Sequence, residues 1–214
     1  MKLITMLISG VTEDSIWKRV VWMYISFFLL LVPVTVLSYF LLPEGILREK
    51  HPFISFELST HLWISTLQIF GYNLIFTTLT IGANFFSRQS RVCPERFIPL
   101  GYLAFWGLTV TFAIYMGTWS QEIFTNAPPL VHRFLRLFNI VRRGGLWEIS
   151  GYLLAATTSF KFTLWYTDGK REVNRRHFRD ISLTVMERIL FLFAFIFLLC
   201  GAFIESYGII QLSS

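Results

Sequence analysis

Two glutamates stand in runs that are otherwise apolar. Glu148 lies in GGLWEISGYLLAATTSF, from Gly144 to Phe160, and Glu205 lies in LLCGAFIESYGII near the end of the sequence. A carboxylate inside hydrocarbon is costly enough to need a partner or a task, whether a helix cap, an ion pair or the carriage of a proton. The amide of Asn73 is a third polar group in such a run, and Arg142 and Arg143, just upstream of Glu148, are the nearest cations in sequence. Two neighbouring carboxyls can share one proton. Beyond this set the chemistry is thin. There is no nucleophile with its base, no HExxH, no paired-cysteine motif and no phosphate loop. His51, His61, His132 and His177 are scattered over loops and run starts, and Cys93 and Cys200 fall in different settings, so neither a metal site nor a disulfide is expected. The expectation is a protein without catalytic residues or a cofactor.

The elements that must position these residues follow from composition. The chain has 214 residues, of which 54% are hydrophobic and 15% charged, and its mean hydropathy is +0.57. That is too apolar for an ordinary water-soluble domain. Five runs are long enough to cross about 30 Å of hydrocarbon at about 1.5 Å per helical residue: Val20 to Leu42, His61 to Phe86, Phe97 to Trp119, Gly145 to Tyr166 and Arg188 to Ile210. The expected fold is all-α, a polytopic transmembrane bundle of about five spans forming a single integral membrane domain over 1–214. Leu3 to Ile8 is too short an apolar core for a cleavable signal peptide, so the mature chain is expected to begin near Met1.

Basic residues orient the bundle. With the N-terminus inside, twelve Lys and Arg fall on the cytoplasmic side and six outside. The N-terminus is therefore expected inside and the C-terminus outside, in the inner (cytoplasmic) membrane. Lys161, near the inner end of the fourth span, would snorkel to the interface. In this orientation Glu148 and Glu205 should lie within about 5 to 8 Å of the outer ends of their helices.

Helical faces suggest how the spans meet. Glu148, Gly151, Ala155 and Thr158 recur at steps of three and four, as do Ala194, Gly201, Glu205 and Gly208. Stripes of small residues are where membrane helices pack closely. The second span carries a polar row of Thr66, Asn73, Thr77, Thr80 and Asn84. Three spans thus offer small or polar faces to one interior, and hydrogen bonding between helices is the leading use of that row.

The outer loop PPLVHRFLRLFNIVRRGG reads as an interfacial amphipathic helix over about 129–143. Leu130, Phe134, Leu137, Phe138 and Val141 fall on its apolar side, and His132, Arg133, Arg136, Asn139 and Arg143 on the other. Pro128 and Pro129 suit its start, Gly144 and Gly145 its end. The segment DGKREVNRRHFRD, with Arg171, Arg175, Arg176 and Arg179, reads as a cytoplasmic basic loop that fixes orientation or meets anionic lipid. The basic residues follow topology and not one patch, so nucleic acid is not an expected partner.

Four of these segments resemble the stage II sporulation protein M family of five-span membrane proteins: NLIFTTLTIGANFF (Asn73 to Phe86), the Gly117 ending of the third span, GGLWEISGYLLAA (Gly144 to Ala156) and GAFIESYGI (Gly201 to Ile209). Gly145, Glu148 and Ala155 match the family's span-four element, and Glu205 its closing acid. Gly144 stands where a histidine is common, and Tyr115 and Met116 precede Gly117 in place of an Asn-Gly pair. The resemblance implies a scaffold without enzymatic activity, which assembles with membrane lipids and other membrane proteins, or with copies of itself, in cell-envelope remodelling. The alternatives are a transporter or proton-pathway component using Glu148, Glu205 and Asn73, and an accessory subunit of an energy-transducing complex.

Overall fold

The computed structural model describes residues 2–48, 58–120, 127–139, 144–168 and 172–213. Four helices are long and apolar enough to cross a membrane: α2 (Ile16–Leu41), α3 (Leu62–Ala83), α4 (Leu100–Gly117) and α7 (Val185–Ser213). The remaining helices are α1 (Lys2–Val11), α5 (Leu130–Leu137) and α6 (Gly145–Thr158). The sequence reading assigned no helix to α1.

α6 is the shortest departure from expectation and sits deepest in the fold. Gly151 through Ser159 are all buried, with Leu153, Ala155 and Ala156 fully so. It packs against α2, α3, α4 and α7. The fourth expected span ran to Tyr166, yet the α-helix stops at Thr158, followed by a 3-10 turn over Ser159–Phe162. Its last residues explain the stop. The hydroxyls of Thr157, Thr158 and Ser159 bond back to the carbonyls of Leu153, Leu154 and Ala155, and such back-bonding loosens a helix. Asn84 then donates to the Ala156 carbonyl at 2.9 Å, occupying an acceptor at the helix end.

One end of the bundle carries a small sheet that the sequence reading did not anticipate. Its order is β2-β1-β3-β4, formed by β1 (Phe86–Gln89), β2 (Phe97–Pro99), β3 (Trp165–Thr167) and β4 (Val173–Arg175). β1 pairs antiparallel with β2 and parallel with β3, and β3 pairs antiparallel with β4. Thus the second expected span ends at Ala83, before β1, and the third begins at Leu100, after β2. α1 joins this end: Cys93 Sγ meets the Thr5 carbonyl and Arg96 donates to the Thr12 carbonyl at 3.1 Å. Cys93 and Cys200 are both free.

The opposite end closes around α4 and α5. Trp119 takes a left-handed backbone (φ 53°), rare for so bulky a residue. That geometry lets Ser120 N–H reach back to the Tyr115 carbonyl and end α4 in a six-to-one bond. α5 has eight residues, not the fifteen expected, and residues 140–143 lie outside the described set. Gly144 and Gly145 do not end it; they are the N-cap and first residue of α6.

Candidate functional site

The polar cluster forms where α6 begins, wedged between α3 and α7. Two glycines make the approach possible. A Cβ on Gly144 would collide with the Gly201 carbonyl on α7, and a Cβ on Gly201 would lie 2.6 Å from Glu148 Cγ. With no side chain at either position, Glu148 slides along α7 and reaches α3. There Asn73 Nδ2 donates to Glu148 Oε1 at 2.6 Å, and the Tyr152 hydroxyl, one turn along α6, donates to Asn73 Oδ1 at 2.7 Å. On its other side lies the carboxyl of Glu205.

The structure therefore brings Asn73, Glu148 and Glu205 together. Arg142 and Arg143 lie outside the described residues. By position along the helices, Glu148 lies near the start of α6 as expected, while Glu205 lies further from the end of α7 than expected. Glu148 is in the first turn of its own helix and stands beside Asn73, half-way along α3. Glu205 is two turns short of the end of α7. Half-buried Glu148 and exposed Glu205 mark one side of the cluster as open in the isolated chain.

The small stripes pack as membrane helices do. Gly151 of α6 faces Leu198 and the Ala194 carbonyl of α7, which a Cβ would crowd at 2.6 and 2.9 Å. The buried face of α7 holds Ala194, Leu198, Gly201, Ala202 and Ser206, while Glu205 sits at its edge and Gly208 is half-buried. The α3 row is buried throughout. Thr66 and Thr77 satisfy their hydroxyls on their own helix, at the Leu62 and Asn73 carbonyls. Asn84 reaches Ser159 Oγ at 2.7 Å as well as the α6 end.

Two buried arginines close the two ends: Arg19, which in the sequence counts only as topological charge, and Arg133, expected on the polar face of the interfacial helix. At the sheet end Arg19 is fully buried, 2.5 Å from Glu187, and donates to the Glu13 and Asp14 carbonyls. Lys161 Nζ is 3.0 Å from the same Glu187 carboxylate, which also accepts from Thr184. At the other end Arg133 is 1% exposed, against its expected place on a polar face. It pairs with Glu44 at 2.7 Å, donates to the Pro128 and Gly117 carbonyls, and lies over the Tyr39 and Trp119 rings. Arg136 also stacks on Trp119. On α5 the inward pair is Arg133 and Leu137, with Phe134 half-buried and Phe138 exposed beside Val131 and Leu135. That arrangement differs from an amphipathic helix with all its arginines outward. The reason is local: an arginine beside free carbonyls at the end of α4 gains more from them than from water.

In the basic loop, Arg171 lies outside the described residues, while Arg175, Arg176 and Arg179 are exposed. Arg175 is on β4 and faces the Trp165 ring at 6.0 Å, and Arg176 donates to the Asp180 carbonyl. Among the described residues no group of three or more His, Cys, Asp or Glu could hold a metal ion. Comparison of the chain with protein-family models, with curated proteins and with solved structures finds no match.

Proposed function

We propose that the chain is an integral membrane scaffold of the stage II sporulation protein M type, N-terminus on the cytoplasmic side of the inner membrane, assembling there with other membrane proteins. In this reading α5 and α6 act in series as a broken fifth crossing. Together they span about 33 Å at about 1.5 Å per residue, close to one hydrocarbon thickness. Leu137 near the end of α5 adjoins Gly145, where α6 starts. The basic loop faces the cytoplasm, and the role is one of holding partners and not of catalysis.

The observation that supports this reading is the hydrogen bonding between α3 and α6 at the polar cluster. Asn73 uses both ends of its amide, on Glu148 and Tyr152, and the neighbouring hydroxyls turn back onto their own helices. These bonds tie α3 to α6, and α7 packs closely on α6 through Gly144, Gly151 and Gly201. Asn73→Ala should strand the Tyr152 hydroxyl and the Glu148 carboxyl and cost about 1–3 kcal/mol of bundle stability. Purification in mild detergent tests the function: the parent should leave the membrane in a discrete heteromeric complex, which Glu148→Gln preserves. A lone chain at native abundance would contradict it.

A second reading has its own observation. Glu148 and Glu205 set two carboxyls side by side within the bundle, at a broken helix, where proton-coupled transporters place their acids. Liposomes containing a pH-sensitive dye separate the two. A proton flux in the parent that Glu148→Gln abolishes would replace the scaffold with a transport role.

A further inference from the structure

Beyond the polar cluster, α2 carries a second feature, on its outward side. Lys18, Trp22, Ile25, Leu29 and Val32 recur at steps of four and three, so they form one stripe along the helix. The first two belong to a cleft of about 660 Å³ between α1 and α2, lined by Lys2, Thr5, Ser9, Glu13, Lys18 and Trp22. At its floor α1 packs directly on the Trp22 ring, which Gly10 permits because a Cβ there would run into that ring. The rest of the stripe belongs to an apolar groove of about 630 Å³, formed by Val21, Tyr24, Ile25, Phe28, Leu29 and Val32 with Pro33. A polar cleft thus continues into an apolar groove along one helix face.

We propose that this composite site binds one anionic phospholipid, headgroup in the cleft and acyl chain in the groove. Charge selects the headgroup. Lys2 and Lys18 line the cleft with the single carboxylate of Glu13, which is already shared between Lys18 at 3.6 Å and Arg96, outside the lining, at 3.9 Å. Lys18 is 65% exposed, so that contact is weak and leaves its ammonium available. The hydroxyls of Thr5 and Ser9 line the same cleft. Length selects a lipid over a free phosphate. From Trp22 to Val32 the stripe runs about 15 Å at about 1.5 Å per residue, half the roughly 30 Å hydrocarbon thickness and the reach of a chain in one leaflet. Tryptophan and lysine at the mouth suit the headgroup level, and Leu3, Ile4 and Met6 of α1 are exposed beside it. The proposal rests on the chain residing in a membrane, not on the identity of its partners.

Native mass spectrometry of the detergent-purified protein tests it with phosphatidylglycerol and phosphatidylcholine of equal chain length. The parent should retain one phosphatidylglycerol with about ten-fold preference. Lys2→Gln with Lys18→Gln should bring that preference down to unity. Ile25→Trp with Val32→Trp should fill the groove and lower retention of both lipids. All four positions are exposed, so the fold should tolerate the changes, and elution as a single peak confirms it. Glycerol 3-phosphate in excess should not displace the lipid. Equal retention of the two lipids by the parent, retention unchanged in both variants, or displacement by glycerol 3-phosphate would each overturn the proposal.

Discussion

The two ends of the bundle each bury an arginine but compensate it differently. At the sheet end the counter-charge is buried with it: Glu187 is 1% exposed, and Arg19 and Lys161 converge on its two oxygens. At the α5 end the counter-charge stays in solvent, with Glu44 63% exposed, so the burden on Arg133 falls on carbonyls and aromatic rings. Arg19, paired with a buried carboxylate, leaves its Nε without a partner, whereas every guanidinium nitrogen of Arg133 donates. The difference shows where the molecule is brittle. Taking one member from a closed ion cluster leaves bare charge in low dielectric, whereas an exposed partner is replaced by water.

The largest effect should therefore come from Glu187→Ala, which strands Arg19 and Lys161 together and should cost about 3–5 kcal/mol. Thermal unfolding of the purified protein in detergent measures it. Replacing the buried pair jointly, as Arg19→Met with Glu187→Leu, should recover part of that loss. If the double variant were as damaged as the single, the sheet end would depend on more than its charge balance. Arg133→Lys should be intermediate, at about 1–3 kcal/mol, because a lysine keeps the charge but lacks the planar fork that meets two carbonyls and a carboxylate at once. Smallest should be Glu44→Gln, at no more than about 1 kcal/mol and diminished further by salt. A cost at the Glu44 position as large as that at Glu187 would erase the distinction between the ends.

Some of this was legible in sequence. Four long helices follow from unbroken apolar length, and the α3 row from helical spacing, since a polar group every turn or two in such a run has one reasonable destination. The meeting of Asn73 with Glu148 was legible only as a class of contact, three polar or small faces toward one interior. The rest was hidden for physical reasons. Strands of three or four residues carry too little alternation to read, and β1 pairs with β3 from far along the chain. The end of α6 was masked because Phe160, Phe162 and Leu164 prolong the apolar run past the hydroxyls that stop the helix. Arg19 and Glu187 lie 168 positions apart, and each looks like an ordinary charge at the mouth of a span. Only Tyr152 had a local signal, standing one turn after Glu148 on the same face.

In the proposed arrangement the sheet and α5 lie on opposite sides of a membrane, with an odd number of crossings between the N-terminus and the end of α7. Site-specific labelling with a membrane-impermeant thiol reagent tests this directly in a variant lacking Cys93 and Cys200. A cysteine at Asn174, on β4, should stay unlabelled in intact cells and react once the membrane is opened, while one at His132, on the exposed side of α5, should react in both. Labelling of both positions in intact cells, or of neither, would place the two ends on one side and contradict the account.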